Sequence, residues 1–447
     1  MNKEEIFEIL NNNPVPAVKL RALFTGMNAV DVADLFADLD KDKIIQIFRL
    51  LPKSMASDVF SYIEPDEQQI IIEALSDIEV SDIMNKLFVD DAVDLIEEMP
   101  ANVVNRLLRN INPEKRKQIN QILQYPDDSA GSIMTTEYVE LHEDNTVRAA
   151  FEHIREIGIN KETIYTSYVI RPGRLLVGIV SAKTLMLAGR DEKIGNIMDA
   201  NIVFARTTDD QEAVAALFRK YDLLSMPIVD REQRLVGIVT VDDVVEVIDE
   251  ENTEDFEKMG ALNPSEEPYL KTSILKLARN RIVWLLFLML SATITGGIIS
   301  GFEDALAVLP VLVVFIPMLM DSGGNAGTQT STLIIRGMAL EEISFRDTAV
   351  VLWKEICIGF LCGLGLGLIN FLRIYLMNGQ NAALSLTVTL SLLITIIMAK
   401  SIGCLLPLAA KKLKIDPAIM AAPLITTIID GASLVVYFSI AKVLLAR

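Results

Sequence analysis

The run ITTIIDGASLVVYFSIA, residues 425–441, is apolar or small apart from its hydroxyls and one carboxylate, Asp430. With its flanks it is long enough to cross a bilayer, which takes about 20 mainly apolar residues. A carboxylate in such a helix costs about 2.5–3.5 kcal/mol on insertion scales, so Asp430 is expected to face a partner, a cavity or an ion path. A helix–helix hydrogen bond, or a place near the water interface, is the plainer alternative. Thr426 lies four residues earlier and shares the helix face of Asp430, with Thr427 beside them.

Outward from this run the sequence predicts five spans, near 281–301, 305–334, 349–377, 383–409 and 417–445. Short loops rich in Lys and Arg favour the cytoplasmic side. Lys271, Lys276, Arg279 and Arg281 precede the first span, Arg336 and Arg346 follow the second, and Lys411, Lys412 and Lys414 separate the last two. The opposite loops carry Glu303 with Asp304, and the uncharged 378–381. The alternation places the chain in the cell (inner) membrane with its N-terminus in the cytoplasm and its C-terminus outside. Lys442 and Arg447 oppose that last placement mildly.

Composition divides the chain in two. Residues 271–447 carry 14 basic and 9 acidic side chains, and residues 1–270 carry 27 and 51, a net −24. The mean hydropathy of +0.36 thus averages an acidic soluble half with an apolar one. No basic stretch is present to displace phosphate counterions, which argues against nucleic acid. An acidic surface suits cations, although solvation alone satisfies it. The three cysteines show no zinc spacing, and there are two histidines. Oxygen-rich sites suit Mg²⁺, Ca²⁺ or Mn²⁺ rather than zinc or copper. MNKEEIFEIL has neither the basic start nor the apolar core of a secretory signal, so the first 270 residues are expected to stay in the cytoplasm.

The most irregular membrane segment is PMLMDSGGNAGTQTST, residues 317–332. Pro317, Gly323, Gly324 and Gly327 are expected to break the helix, which membranes tolerate only beside protein or a watery cavity. Asp321, Asn325, Thr328 and Gln329 add oxygens to it. Gly359, Gly363 and Gly367, and Gly297 with Gly301, have the spacing of close helix packing, within the chain or between copies.

In the soluble half, Pro52, Pro65, Pro100 and Pro113 each precede an apolar-periodic run, and proline suits a first helical turn. The spacing predicts single three-turn helices in an α-superhelical repeat. Residues 128–250 contain a duplication: GSIMTTEYVEL (131–141) returns as GNIMDANIVFA (195–205), and LLVGIVSAKTL (175–185) as LVGIVTVDDVV (235–245). This α/β pair resembles a tandem CBS module, in which a G-x-x-[ST]-x-x-D motif holds the ribose of an adenine nucleotide such as ATP. The second copy has Gly237, Thr240 and Asp243; in the first, Thr184 replaces the acid. A purely structural dimerisation module is the alternative. From Asp242 to Glu257 there are nine acids, of which Asp243, Glu246, Glu250, Glu254 and Glu257 share one helical face. Like charges four apart destabilise a helix, so either water or divalent cations must hold it.

GGNAGTQ (323–329), DPA (416–418) and P-x-x-TT-x-x-D (423–430) together resemble the MgtE family of magnesium transporters, over nearly the whole chain. The resemblance implies a homodimeric Mg²⁺ channel that cytosolic Mg²⁺ closes. Its four parts are a helical N-domain (1–127), a tandem CBS pair (128–250), an acidic plug helix (242–270) and a five-helix membrane domain (271–447). It maps pore residues onto Asp430 and Asn325, with Thr426 and Thr427 alongside, and a pore-mouth acid onto Asp416. Candidate regulatory ligands are Asp90, Asp91 and Asp94, Asp210 and Asp222, and Asp243, Glu246, Glu250, Glu251, Glu254 and Asp255 on the acidic helix. No phosphate-binding G-x-x-x-x-G-K-[ST] loop is present. The membrane potential can drive a divalent cation inward instead, at about 4.6 kcal/mol per 100 mV for two charges. An intramembrane aspartyl protease pairing Asp321 with Asp430 lacks its motifs here, and an anion channel is disfavoured by the acids, so no enzyme is expected. The same architecture passing Co²⁺, Mn²⁺ or Ca²⁺ is the alternative.

Overall fold

The computed structural model describes residues 17–53, 55–265, 269–270, 272–302, 310–340, 342–377, 381–420 and 422–445. Pro268, Lys271, Glu303, Asp304, Asn378 and Arg447 lie outside them. The chain forms two compact units, Met1–Ile248 and Asp249–Arg447.

The first unit begins with short helices in which each packs on the next but one. Lys41–Phe48 meets Pro65–Ala74, Asp77–Met84 meets Ala101–Asn110, and Val89–Glu98 meets Pro113–Ile122. This is the superhelical winding that the proline spacing predicts. Pro65 and Pro113 open their helices, whereas Pro100 is an N-cap and Pro52 precedes a helix that starts at Ala56. Ser76 and Glu79 form a capping box on Asp77–Met84, satisfying two otherwise unpaired N–H groups.

Two three-stranded sheets follow, one per copy of the duplication. β1 (Val139–His142) runs parallel to β2 (Thr166–Arg171), which is antiparallel to β3 (Leu175–Ser181). β4 (Ala205–Arg206), β5 (Ser225–Val229) and β6 (Leu235–Thr240) repeat the pattern, with a register shift at the equivalent place, 169/170 and 228/229. The repeated motifs interlock across the copies. A Cβ on Gly178 of β3 would stand 2.5 Å from the sulfur of Met198, and one on Gly237 of β6 would stand 2.5 Å from that of Met134. Each strand glycine thus makes room for the methionine of the other copy, so the duplicated segments fold as one body.

In the second unit five helices are long and apolar enough to cross a membrane: Ile274–Gly301, Pro310–Ala339, Phe345–Leu376, Ala382–Lys412 and Pro417–Leu445. The third lies on the fourth through the glycine stripe, where Cβ atoms on Gly359 and Gly363 would come within 3.0 and 3.2 Å of the Cα atoms of Ile397 and Leu393. Gly297 and Gly301 of the first span face open space within this chain. The second span corrects the expectation of a broken helix. Its 3₁₀ turn, Pro310–Phe315, gives way to one continuous helix, Ile316–Ala339, with Pro317 harmlessly in the first turn. The glycines serve approach rather than breakage. A Cβ on Gly323 would fall 2.8 Å from Thr395 and 2.9 Å from Ile429, and one on Gly327 3.0 Å from Ile425.

Candidate ion pathway and acidic cluster

Close packing at Gly324, where a Cβ would come within 3.0 Å of Thr426 Cγ2, draws the second and fifth spans together. Beside this contact lies a cavity of about 490 Å³ lined by Pro317, Asp321, Asn325, Thr426 and Asp430, among others. Asp321 and Asn325 are four residues apart on one helix, as are Thr426 and Asp430 on the other. Each pair therefore shares a face, and the two faces line one space. The lining offers two carboxylates, an amide and a hydroxyl, which is an oxygen donor set. Thr426 donates its proton to the carbonyl of Pro423 at 3.0 Å, leaving its oxygen as an acceptor toward the cavity.

Two residues of the expected pathway stand elsewhere. Thr427 also donates to Pro423 O, at 2.9 Å, and does not line the cavity. Asp416 precedes the turn Pro417–Met420 at the start of the fifth span, where its Oδ1 accepts from Ala418 N at 2.8 Å. Its other oxygen meets Lys258 Nζ at 2.7 Å, and Lys258 also bridges to Glu254 at 2.7 Å. The acidic helix is continuous from Val241 to Met259 and carries Glu250, Glu251 and Asp255 between its ends.

A second gathering of acids lies within the first unit. Asp90, Asp91 and Asp94 on Val89–Glu98 interact with Asp242, Asp243 and Glu246 at the start of the acidic helix, and with Glu137 and Glu162 of the first CBS copy. Burial, then Asp243 and Glu162, hold the acid of Asp90 well above the usual range. Desolvation followed by Glu246 pushes Asp94, which keeps a solvent-exposed edge, up to about 8. Burial with Asp243 and Asp242 takes Glu162 to about 8. Asp243 rises to about 6, burial outweighing its hydrogen bond from Thr240. Lys115, buried and donating to Leu87 O, is a cation in reach, with Lys161 near Glu137, and burial lowers the pKa of Lys115. Among the described residues no three His, Cys, Asp or Glu side chains converge closely enough to hold a bare metal ion.

Asp210 and Asp222 cap opposite ends of the helix Gln211–Tyr221, Asp210 accepting from Glu212 N at 2.8 Å. The eleven-residue helix between them holds them about 18 Å apart, too far for one ion. Thr240 Oγ1 donates to Asp243 Oδ2 at 2.7 Å, and Ser181 pairs with Thr184 at 2.9 Å at the same place in the first copy. The motif that would hold a ribose is thus also a helix cap in both copies. Residues that the sequence reading did not assign to a site are Asp321, Glu137 and Glu162, and a buried pair within the membrane helices, Glu355 with Lys400. An acid in a glycine-rich span was the available signal for Asp321. For Glu137 and Glu162 the signal was absent, because each lies in a loop of ordinary composition, whereas Glu355 and Lys400 each stand as a charge within an apolar span without a local pattern that pairs them.

Models of three families match the chain. That of the divalent cation transporter MgtE covers residues 316–440, that of the MgtE intracellular N domain 27–128, and that of the CBS domain 130–191 and 194–250. The magnesium transporter MgtE of Thermus thermophilus is 35% identical over 430 residues, 95% of each chain. The chain belongs to the MgtE family. The MgtE of Bacillus subtilis is 33% identical, covering 94% of this chain and 93% of its own. A crystal structure of the soluble part of a magnesium transporter, 30% identical, covers 56% of this chain and 99% of its own with a TM-score of 0.52. MgtE is a transporter family and not an enzyme family, and this chain is a multi-pass membrane protein. Both faces of the cavity fall inside the region matched by the transporter model.

Proposed function

We propose that this chain is a homodimeric, Mg²⁺-selective channel for Mg²⁺ uptake, gated shut by cytosolic Mg²⁺ bound among its acidic cytoplasmic residues. The observation that carries this reading is the cavity in which Asp321 and Asn325 face Thr426 and Asp430. Its donors are all oxygens, and Mg²⁺ is a hard cation that keeps several waters when bound. A cavity of this size takes a largely hydrated ion, so Asp430 acts mainly through water. A two-fold axis beside the cavity would double the carboxylates. The magnesium transporters at 35% and 33% identity over nearly the whole chain favour Mg²⁺ as the cargo.

The acids of the first unit supply the sensor in this reading. Those near Asp243 are held together at a cost that a divalent cation relieves, through water where no three carboxylates converge. The N-terminus is cytoplasmic, the C-terminus outside, and an adenine nucleotide at Thr240 and Asp243 of the CBS pair would share Asp243 with this cluster. The test is Mg²⁺ flux into proteoliposomes, repeated with Co²⁺, Mn²⁺ and Ca²⁺. Flux that favours one of the other ions would replace Mg²⁺ as the cargo, and no cation flux at all would overturn the reading.

A further inference from the structure

The membrane helices hold buried charges that the ion cavity does not use. Glu355 on the third span and Lys400 on the fourth are 8% and 6% exposed, although charges at this depth are costly and rare. Their nitrogen and oxygen are 3.8 Å apart, beyond a hydrogen bond. The hydroxyl of Thr330 on the second span, itself 1% exposed, links them. Lys400 Nζ donates to Thr330 Oγ1 at 3.2 Å, and Thr330 Oγ1 donates to Glu355 Oε2 at 2.8 Å. Three spans thus meet in one directional chain of bonds.

The place of Thr330 on its helix gives that chain a consequence for the cavity. Thr330 follows Asp321 by nine residues, two and a half turns, and so points to the opposite side of the helix. Gly323 and Gly327 bring the same helix onto Thr395, Ile425 and Ile429 by van der Waals contact, which limits distance but leaves rotation soft. A hydrogen bond is directional, and here it is held by an ion pair that is expensive to leave half-made. We propose that Glu355 and Lys400, acting through Thr330, are positioning residues for ion passage. They set the rotation of the second span so that Asp321 and Asn325 face the cavity. The proposal rests on reading that cavity as the ion path.

The deciding measurement is the Mg²⁺ concentration dependence of flux by the full chain in proteoliposomes, with thermal stability of each variant in parallel. Thr330→Val keeps the shape of the side chain and removes the link. It is expected to raise the half-saturating Mg²⁺ about fivefold or more, a shift of about 1 kcal/mol, without a matching fall in melting temperature. Thr330→Ser restores the hydroxyl and should restore the wild-type value. Glu355→Leu with Lys400→Met replaces the pair by apolar side chains, a change that buried pairs often tolerate, and should show the same raised half-saturation even if Thr330→Val does not assemble. A folded Thr330→Val or double variant with wild-type half-saturation overturns the proposal. Asp430→Asn serves as the control: wild-type flux in that variant overturns the ion-path reading itself, whereas lost flux there beside unaltered Thr330→Val removes only the positioning role.

Discussion

Lys258 brings an ammonium to within 2.7 Å of Asp416, the carboxylate at the start of the fifth span, while Glu254 holds the same nitrogen at 2.7 Å. Burial opposes its charge, but the hydrogen bonds to Asp416 and Glu254 outweigh burial and hold it above the usual lysine range. A cation in the last turn of a helix is also favoured by the helix dipole. The otherwise acidic helix therefore carries its own cation to Asp416.

Replacing Lys258 with Met should leave Glu254 and Asp416 without their shared cation. Partly exposed ion pairs are worth about 0.2–1 kcal/mol each. The internal Mg²⁺ that half-closes the channel is therefore expected to rise about fivefold, and flux at low Mg²⁺ should increase. Flux against internal Mg²⁺ is the measurement. A closure curve superimposable on wild type would show that this bridge has no part in gating.

Asp430→Asn should reduce Mg²⁺ flux about a hundredfold or more, since each tenfold is about 1.4 kcal/mol and a divalent ion loses a carboxylate at membrane depth. The fold of the membrane helices should survive, because the packing glycines between the spans stay in place. Asp321→Asn, in the same cavity, should give a smaller loss of about tenfold. Proteoliposome flux together with size-exclusion mass separates a lost ion path from a lost assembly.

The five spans were legible from hydropathy, and the CBS duplication from its repeated GIV strands. Helix periodicity and the i,i+4 rule put Thr426 and Asp430 on one face. What the sequence could not reveal was the meaning of the glycines. A glycine reads alike whether it breaks a helix or lets two helices touch, and at Gly323, Gly324 and Gly327 only the neighbouring side chains Thr395, Thr426 and Ile429 decide. The pair Glu355 and Lys400 was hidden for a related reason. They come from different spans, 45 residues apart in sequence, and no local pattern announces their meeting. Among the soluble acids, position on one helical face did not separate Asp243, which turns inward, from Glu254, which meets a lysine.

Proton uptake should stabilise the soluble half in the absence of divalent cations. Glu162 and Asp243 have folded pKa values raised to about 8 and about 6, against 4.5 and 3.8 ordinarily. The folded state then binds more protons than the unfolded one, so stability falls as pH rises. The benefit is full below about pH 4 and is lost progressively through 6 and 8. Melting temperature of residues 1–270 in EDTA should therefore decline from pH 5 to pH 8, and millimolar Mg²⁺ should flatten that decline. A melting temperature that climbs over this range would contradict the crowding of these acids.

Neutralising the cluster should imitate bound Mg²⁺. In wild type, a hundredfold excess over Kd adds about 2.7 kcal/mol, which for a domain of this size is about 5–10 °C in melting temperature. Asp91→Asn, Glu162→Gln and Asp243→Asn together remove three clustered acids, of which Asp91 and Asp243 both raise Glu162 and Asp91 also raises Asp243. The triple variant should melt higher than wild type in EDTA, because like charges no longer share a desolvated space. It should also lose most of the increment from added Mg²⁺, since few carboxylates remain there to bridge. In the full chain the same variant should carry less flux than wild type at low internal Mg²⁺ and respond weakly when internal Mg²⁺ is raised, with an unaltered order of preference among cations, because the cavity at Asp430 is untouched. A triple variant whose Mg²⁺-induced rise in melting temperature equals that of wild type would place the sensor away from these acids.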